Sequence, residues 1–266
     1  ADGEKKIFPK KNGAPGNIER RVRERIKKSK IYIYKGNDLT VDSVDLIISQ
    51  YFNKDLRGVA GKKIGIIGAG NIGSKIGLFM TELGAKVFLN RRNKKKLTCI
   101  VNAINYLKPQ NTREKAKAVD KIFAAKNSDV LIGSTDGKSV IDEKMVNLMK
   151  KKSIIIDAGK GTLTENGIRR AIERKIEIFR VDIFPSLEGL ISKTFSMEKQ
   201  ISKLLKNRKI ENINIFNSGK LGKYGDLIVD DIDNINLVYG ICDGKGDFLR
   251  KVPKKYKVLI KRILNK

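Results

Sequence analysis

Three glycines at G-x-G-x-x-G spacing, Gly68, Gly70 and Gly73, carry the clearest chemical implication in the chain. In that pattern the first glycine permits a tight turn, the second lets the backbone approach a pyrophosphate, and the third lets a helix pack on the preceding strand. Peptide N–H groups at Asn71, Ile72 and Gly73 would open that helix and face the phosphates. Asn90 stands 22 residues beyond Gly68 and is followed by Arg91 and Arg92. A carboxylate at that position would accept hydrogen bonds from the ribose hydroxyls. A neutral Asn removes repulsion of a 2′-phosphate, and two guanidinium groups could clasp it. The pattern therefore points to NADP(H) rather than NAD(H); the bland alternative makes Arg91 and Arg92 ordinary surface charge.

Two further loops hold reactive types. Gly133-Ser134-Thr135-Asp136-Gly137 and Ala158-Gly159-Lys160-Gly161-Thr162 each follow a short β-branched, apolar run. In a parallel sheet, ligands lie outside the carboxyl ends of the strands. Ser134 and Thr135 are thus expected to line the cofactor groove. Lys160 is the candidate acid/base: it could relay a proton to or from a carbonyl oxygen, if burial and neighbouring positive charge ease loss of its own. Glu188, Asp157 and Asp182 are candidate orienting groups. The chain has no histidine, which excludes an imidazole base or a histidine metal ligand from its own residues. Asp226, Asp230, Asp231 and Asp233 do not match a calcium-loop spacing and read as turn residues, so no metal site is expected.

These loops require an alternation of strands and helices. Ile64 to Ile67 reads as a strand buried on both faces. Ile76, Phe79, Met80 and Leu83 recur at helical spacing, Gly84 stops the helix, and Lys86 to Asn90 is the next strand. Helices are expected over 97–107, 111–123, 142–149, 165–174 and 196–205, and strands over 129–132, 153–157 and 176–183. Upstream, Ile18 to Lys30 reads as a basic helix, Ile31-Tyr32-Ile33-Tyr34 as a strand, and Val41 to Tyr51 as an amphipathic helix capped by Thr40. Residues 1–17 read as an extended arm. Downstream, 213–216, 225–231 and 237–241 read as short strands. The expectation is an α/β fold: a doubly wound parallel sheet at 58–188, with a smaller lobe built from residues 1–57 and 189–266.

Composition narrows the function classes. With 40% hydrophobic and 32% charged residues over 266 positions, the chain suits a soluble globular protein, and no apolar run is long enough for a membrane span. Cys99 and Cys242 form no disulfide framework, which fits a reducing cytoplasm. The formal charge of +28 would suit a nucleic-acid binder. The lysines are spread along the chain, however, without interleaved aromatic contacts, which argues against nucleic acid as the main partner. A small-molecule substrate and a second copy of the chain remain as partners.

The run Gly61 to Gly73 resembles the cofactor domain of the 2-hydroxyacid dehydrogenases. So do Met149 to Glu165, Ala171 to Ile176 and Val181 to Glu188, the resemblance extending from Gly58 to Glu188. It implies a Rossmann-type dinucleotide domain. In that family an Arg-Gly after the corresponding strand holds the substrate carboxylate, and a Glu supports a catalytic His. Lys160 stands in the arginine's place and Glu188 at or beside the glutamate's, while the His has no counterpart. The Asn90-Arg91-Arg92 run is more similar to shikimate dehydrogenase and its relatives. The function implied is an NADP(H)-dependent oxidoreductase acting on a small carbonyl, hydroxy or imine substrate. The alternative is a non-catalytic NADP(H)-binding regulatory or scaffold protein.

Overall fold

The computed structural model describes residues 18–265, so the expected arm at 1–17 lies outside them. Along the chain come α1 (Ile18–Arg25), α2 (Gly36–Tyr51), β1 (Lys63–Ile67), α3 (Asn71–Glu82), β2 (Lys86–Asn90), α4 (Lys94–Leu107), β3 (Ala116–Ala118), α5 (Lys121–Asn127), β4 (Val130–Gly133), α6 (Glu143–Leu148), β5 (Ile154–Asp157), α7 (Glu165–Glu173) and β6 (Glu177–Arg180). The remainder is α8 (Phe184–Leu205), β7 (Asn207–Ile210), β8 (Ile213–Asn217), β9 (Leu227–Val229), β10 (Val238–Ile241) and α9 (Lys254–Leu264). Two compact units result, one running to Leu187 and the other starting at Glu188.

The first unit is a six-stranded sheet in the order β3-β2-β1-β4-β5-β6, all neighbours parallel. Strand residues point alternately to the two faces, and the sequence fills both. Ile64, Ile66, Val87, Leu89, Ile132, Ile154 and Ile156 join one apolar cluster, with Val44 and Ile48 of α2, Ile76 and Met80 of α3, and Leu97 and Val101 of α4. Ile67, Phe88, Leu131 and Ile155 join the other, with Ala124 of α5, Met145 of α6 and Ala171 of α7. This is the doubly wound parallel fold expected from the sequence. Chain order reverses direction between β1 and β4, so their carboxyl ends form the switch point where a ligand crevice opens.

Several local expectations are corrected. Residues 31–33 form no strand; Tyr34 is a single bridge residue and α2 begins at Gly36, placing Thr40 inside the helix instead of at its cap. The stretch 111–123 is not one helix. Ala116 pairs with Val87 to start an edge strand, and Asp120 then caps α5 through its carboxylate and the Phe123 N–H at 2.8 Å. The helix expected from Ser196 begins at Phe184, started by Asp182 accepting the Phe184 N–H at 3.0 Å. Its buried Ser186 hydroxyl meets that of Ser43 on α2 at 2.7 Å.

The second unit holds a four-stranded mixed sheet, β10-β9-β8-β7. Glu211 and Asn212, both at positive φ (47° and 63°), make the two-residue turn of the β7–β8 hairpin. α9 packs Tyr256 and Leu259 inward, and the cluster under it includes Ile215, Leu227 and Ile241. Strand β7 and helix α9 have no counterpart among the sequence expectations: β7 is mostly exposed and polar, and α9 is densely basic. The aspartates here act as turn and pairing acceptors, Asp231 with Lys203, Asp233 with Lys206 at 2.8 Å, and Asp230 with the Asn236 N–H at 3.1 Å. Among the described residues no helix is long and apolar enough to cross a membrane.

Candidate functional site

The glycine loop closes the switch point. Gly68 has φ 104°, a left-handed conformation that favours glycine, and a Cβ there would lie 2.7 Å from the Ser134 carbonyl oxygen. At Gly73 a Cβ would lie 2.5 Å from the Ser134 hydroxyl and overlap the Gly68 carbonyl. Protein packing therefore demands both glycines. Gly70 differs. Its φ of −89° and ψ of −153° suit any residue, and the nearest atom to a Cβ is the Gly68 carbonyl at 3.9 Å. Nothing in the fold calls for glycine at position 70, but the close approach of a phosphate would. Above it lies the amino end of α3, where the first N–H groups of a helix lack carbonyl partners of their own. The cradle fits a dinucleotide pyrophosphate.

Neighbouring strands hold this loop in place. Asn90 accepts the Gly68 and Ala69 N–H groups through its carbonyl at 3.0 and 2.9 Å. The Ser134 N–H reaches the Ile67 carbonyl at 2.8 Å, and its hydroxyl donates to the Gly68 carbonyl at 2.7 Å. The Ser134 hydroxyl is thus engaged by the glycine loop at the carboxyl end of β4. Thr135 is adjacent and donates to the Lys138 carbonyl at 2.6 Å.

The end of β2 divides the three residues expected to read the ribose. The Asn90 side chain donates to the Val119 carbonyl at 2.8 Å. Arg91 donates to the Ala69 carbonyl at 2.7 Å, which places its guanidinium along the glycine loop. Arg92 is exposed and makes no hydrogen bond or ion pair among the described residues. Beside them opens a cavity of about 420 Å³, lined by Lys94, Leu97, Val119, Asp120 and Phe123 among others. Sequence reasoning missed contacts from α2 to the start of α3: Asn37 donates to the Asn71 side-chain oxygen at 3.1 Å, and Asp38 pairs with Lys75 at 2.5 Å. Lys35-Gly36-Asn37 reads as a turn in sequence, and no local signal reveals this reach.

The Lys160 loop leaves the same edge from β5. Asp157, its side chain 2% exposed, accepts the Gly161 N–H at 2.8 Å, the Thr162 N–H at 3.2 Å and the Thr162 hydroxyl at 2.8 Å, with Arg180 at 3.3 Å. Burial alone would push its carboxyl up; the donors from Gly161 and Thr162, with the Arg180 guanidinium, outweigh burial and hold it below the usual carboxylate range. Gly159 packs so closely that a Cβ would overlap the Thr135 carbonyl, and its own carbonyl accepts the Gly137 N–H at 3.2 Å. Lys160 itself is exposed at φ 56°, without a hydrogen bond or ion pair among the described residues. The enclosure expected around it is absent: the Asp157 carboxylate is taken up by the Gly161 and Thr162 donors, and the Lys160 side chain stands in solvent. Asp157 and Asp182 are structural acceptors. Glu188 lies exposed on α8 as the first residue of the second unit.

The family model described as D-isomer specific 2-hydroxyacid dehydrogenase, NAD binding domain, matches residues 47–201, more than half the chain. A glutamyl-tRNA reductase of Thermosipho melanesiensis is 24% identical over 221 residues, covering 78% of this chain and 55% of that protein. The chain thus spans about half the length of that curated relative. Among solved structures, a dipicolinate synthase from Bacillus halodurans is 18% identical with a TM-score of 0.42, over 55% of this chain and 50% of that one. The NAD complex of a D-isomer specific 2-hydroxyacid dehydrogenase from Lactobacillus delbrueckii ssp. bulgaricus is 16% identical with a TM-score of 0.38, over 55% of this chain and 47% of that one. The matched domain indicates a nicotinamide dinucleotide cofactor, and the chain belongs to the D-isomer specific 2-hydroxyacid dehydrogenase NAD-binding domain family.

Proposed function

We propose that this chain is an NADP(H)-dependent oxidoreductase acting on a small carbonyl, hydroxy or imine substrate, working in the cytoplasm. The observation that carries the reading is Gly70, a glycine without a structural need at the amino end of a helix, where a pyrophosphate would lie against the backbone. The preference for a 2′-phosphate rests on Asn90, which puts an amide where a carboxylate would repel that group, and on the exposed Arg92 beside it. Arg91 supports the loop and adds positive charge at the same corner.

In this reading Gly68, Gly70, Asn71, Ile72 and Gly73 hold the pyrophosphate, and Ser134 and Thr135 line the groove. A bound nicotinamide would supply or accept hydride. Lys160, at the tip of a loop fixed by Asp157, exchanges a proton with the substrate oxygen or nitrogen, or draws a substrate carboxylate by charge. Exposure of Lys160 and the lack of any histidine favour a second reading, a non-catalytic NADP(H)-binding module.

Titration of the full chain with NADPH and NADH tests what the two readings share. Tighter binding of NADPH is expected, and failure to bind either would overturn both. Turnover of a small carbonyl substrate that Lys160→Met abolishes would select the enzyme; unchanged turnover in that variant would remove Lys160 from its role.

A further inference from the structure

From the first unit alone, we infer that the cavity past the end of β2 receives the base of the dinucleotide and that Asp120 reads its exocyclic amine, which makes Asp120 the residue that selects adenine. The inference rests on the dinucleotide reading above and goes on to say which base the site accepts. The cavity, about 420 Å³, lies at the carboxyl edge of β3, lined by Val119, Asp120 and Phe123 from that side and by Lys94, Leu97 and Thr98 from the first turns of α4. It adjoins the corner expected to meet the ribose, because the Asn90 amide donates to the Val119 carbonyl at 2.8 Å. The sheet runs β1, β2, β3 toward this edge. With the pyrophosphate at the start of α3 and the ribose at the end of β2, the base is carried on to the end of β3.

The groups on the lining decide which base fits. Leu97, Val119 and Phe123 are apolar and suit the faces of a heteroaromatic ring, and an edge-to-face contact with Phe88, 5.3 Å between centroids, holds the Phe123 ring. Most polar groups here are already engaged. The Thr98 hydroxyl donates to the Lys94 carbonyl at 3.1 Å, and the Val119 carbonyl takes the Asn90 amide. Asp120 is the exception: Oδ1 accepts the Phe123 N–H at 2.8 Å, while Oδ2 has no hydrogen bond or ion pair among the described residues, with Lys94 or any other. The cap of α5 needs one oxygen, which asparagine or serine supplies as well; the second oxygen is left for a ligand. A carboxylate accepts and does not donate. Adenine offers it the 6-amino group, whereas hypoxanthine puts a carbonyl oxygen in the same place, so that two acceptors would face each other.

The test is fluorescence titration of the full chain with NADPH and with its hypoxanthine counterpart, reduced nicotinamide hypoxanthine dinucleotide phosphate. The parent is expected to bind the adenine form about 10- to 100-fold more tightly, the weight of a hydrogen bond to a charged group. In Asp120→Asn the cap takes the one oxygen, so an amide donor replaces Oδ2 and the preference should vanish or reverse. Asp120→Ser keeps a capping hydroxyl without the second acceptor and should lose the preference too. Both variants are expected to melt with the parent, since each residue caps a helix. Equal affinity of the parent for the two dinucleotides, or a preference that both variants retain, would overturn the assignment while leaving the dinucleotide reading in place. Binding of neither dinucleotide to the parent would overturn that reading and this one with it.

Discussion

The loop after β1 and the loop after β5 leave the same carboxyl edge of one parallel sheet, both flanked by glycines, yet their centres differ. Around Gly68 and Gly73 the protein fills the space, and the loop is bonded to β2 through Asn90 and to β4 through Ser134. Around Lys160 the base is as firmly held, by Asp157, but the tip stands in solvent. Rigidity in the first loop presents main-chain donors; rigidity under the second aims one long side chain outward. In the proposed reading the first loop needs no further part to receive a ligand, and the second acts only when a substrate covers it.

The largest effect that would sharpen this contrast is on chemistry. With a substrate in hand, Lys160→Met is expected to lower kcat by about 100-fold or more, the usual weight of a positioned acid/base, while NADPH affinity measured by fluorescence stays unchanged. Arg92→Ala comes next. A lost charge-assisted contact of about 1.5–3 kcal/mol predicts a Kd for NADPH roughly 10- to 100-fold weaker, with NADH unaffected. Equal weakening of both cofactors would remove the proposed 2′-phosphate contact.

A smaller effect separates the glycines. Gly70→Ala should leave the melting temperature where it is and weaken either cofactor by roughly tenfold, because only the ligand needs that space. Gly73→Ala, by contrast, should destabilise the fold by about 1–3 kcal/mol through overpacking. If Gly70→Ala melts early, the contrast between the two positions fails.

The smallest effect lies under Lys160. Asp157 has its carboxyl depressed in the folded state, so its stabilisation is present above the unfolded value of about 3.9 and is lost as pH falls through the folded value. Asp157→Asn should cost about 1 kcal/mol at neutral pH and flatten the loss of stability below about pH 4. Thermal melts at pH 7 and pH 3 read both. An acid profile identical to the parent's would mean that other carboxylates set it.

How much of this was legible depended on burial. β1, β2, β4 and β5 are buried on both faces, so their short runs rich in Ile, Val and Leu could be little else, and the glycine pattern between β1 and α3 placed the crevice. β3 carries only Ala116 inward and has lysine next to it, too little apolar signal to distinguish it from helix. α2 begins at Gly36 because Asn37 and Asp38 find partners on α3, a tertiary reason that overrides the capping preference of Thr40. For the site, residue types located the loops but not their orientation. Nothing local says that Arg91 turns back to Ala69 while Arg92 does not, or that Lys160 stands exposed above a buried carboxylate.

The buried hydroxyl pair of Ser43 and Ser186 has a consequence for assembly. The two residues are 143 positions apart, and the pair joins α2 to the first turn of α8. During synthesis α2 emerges early, yet the partner for Ser43 follows only after the strands of the parallel sheet. The contact is long-range in sequence, and it gives each buried hydroxyl the partner that burial requires. Asn37 and Asp38 ride on the same helix, so the seating of α2 that the serine pair helps fix also sets their contacts with Asn71 and Lys75 at the start of α3.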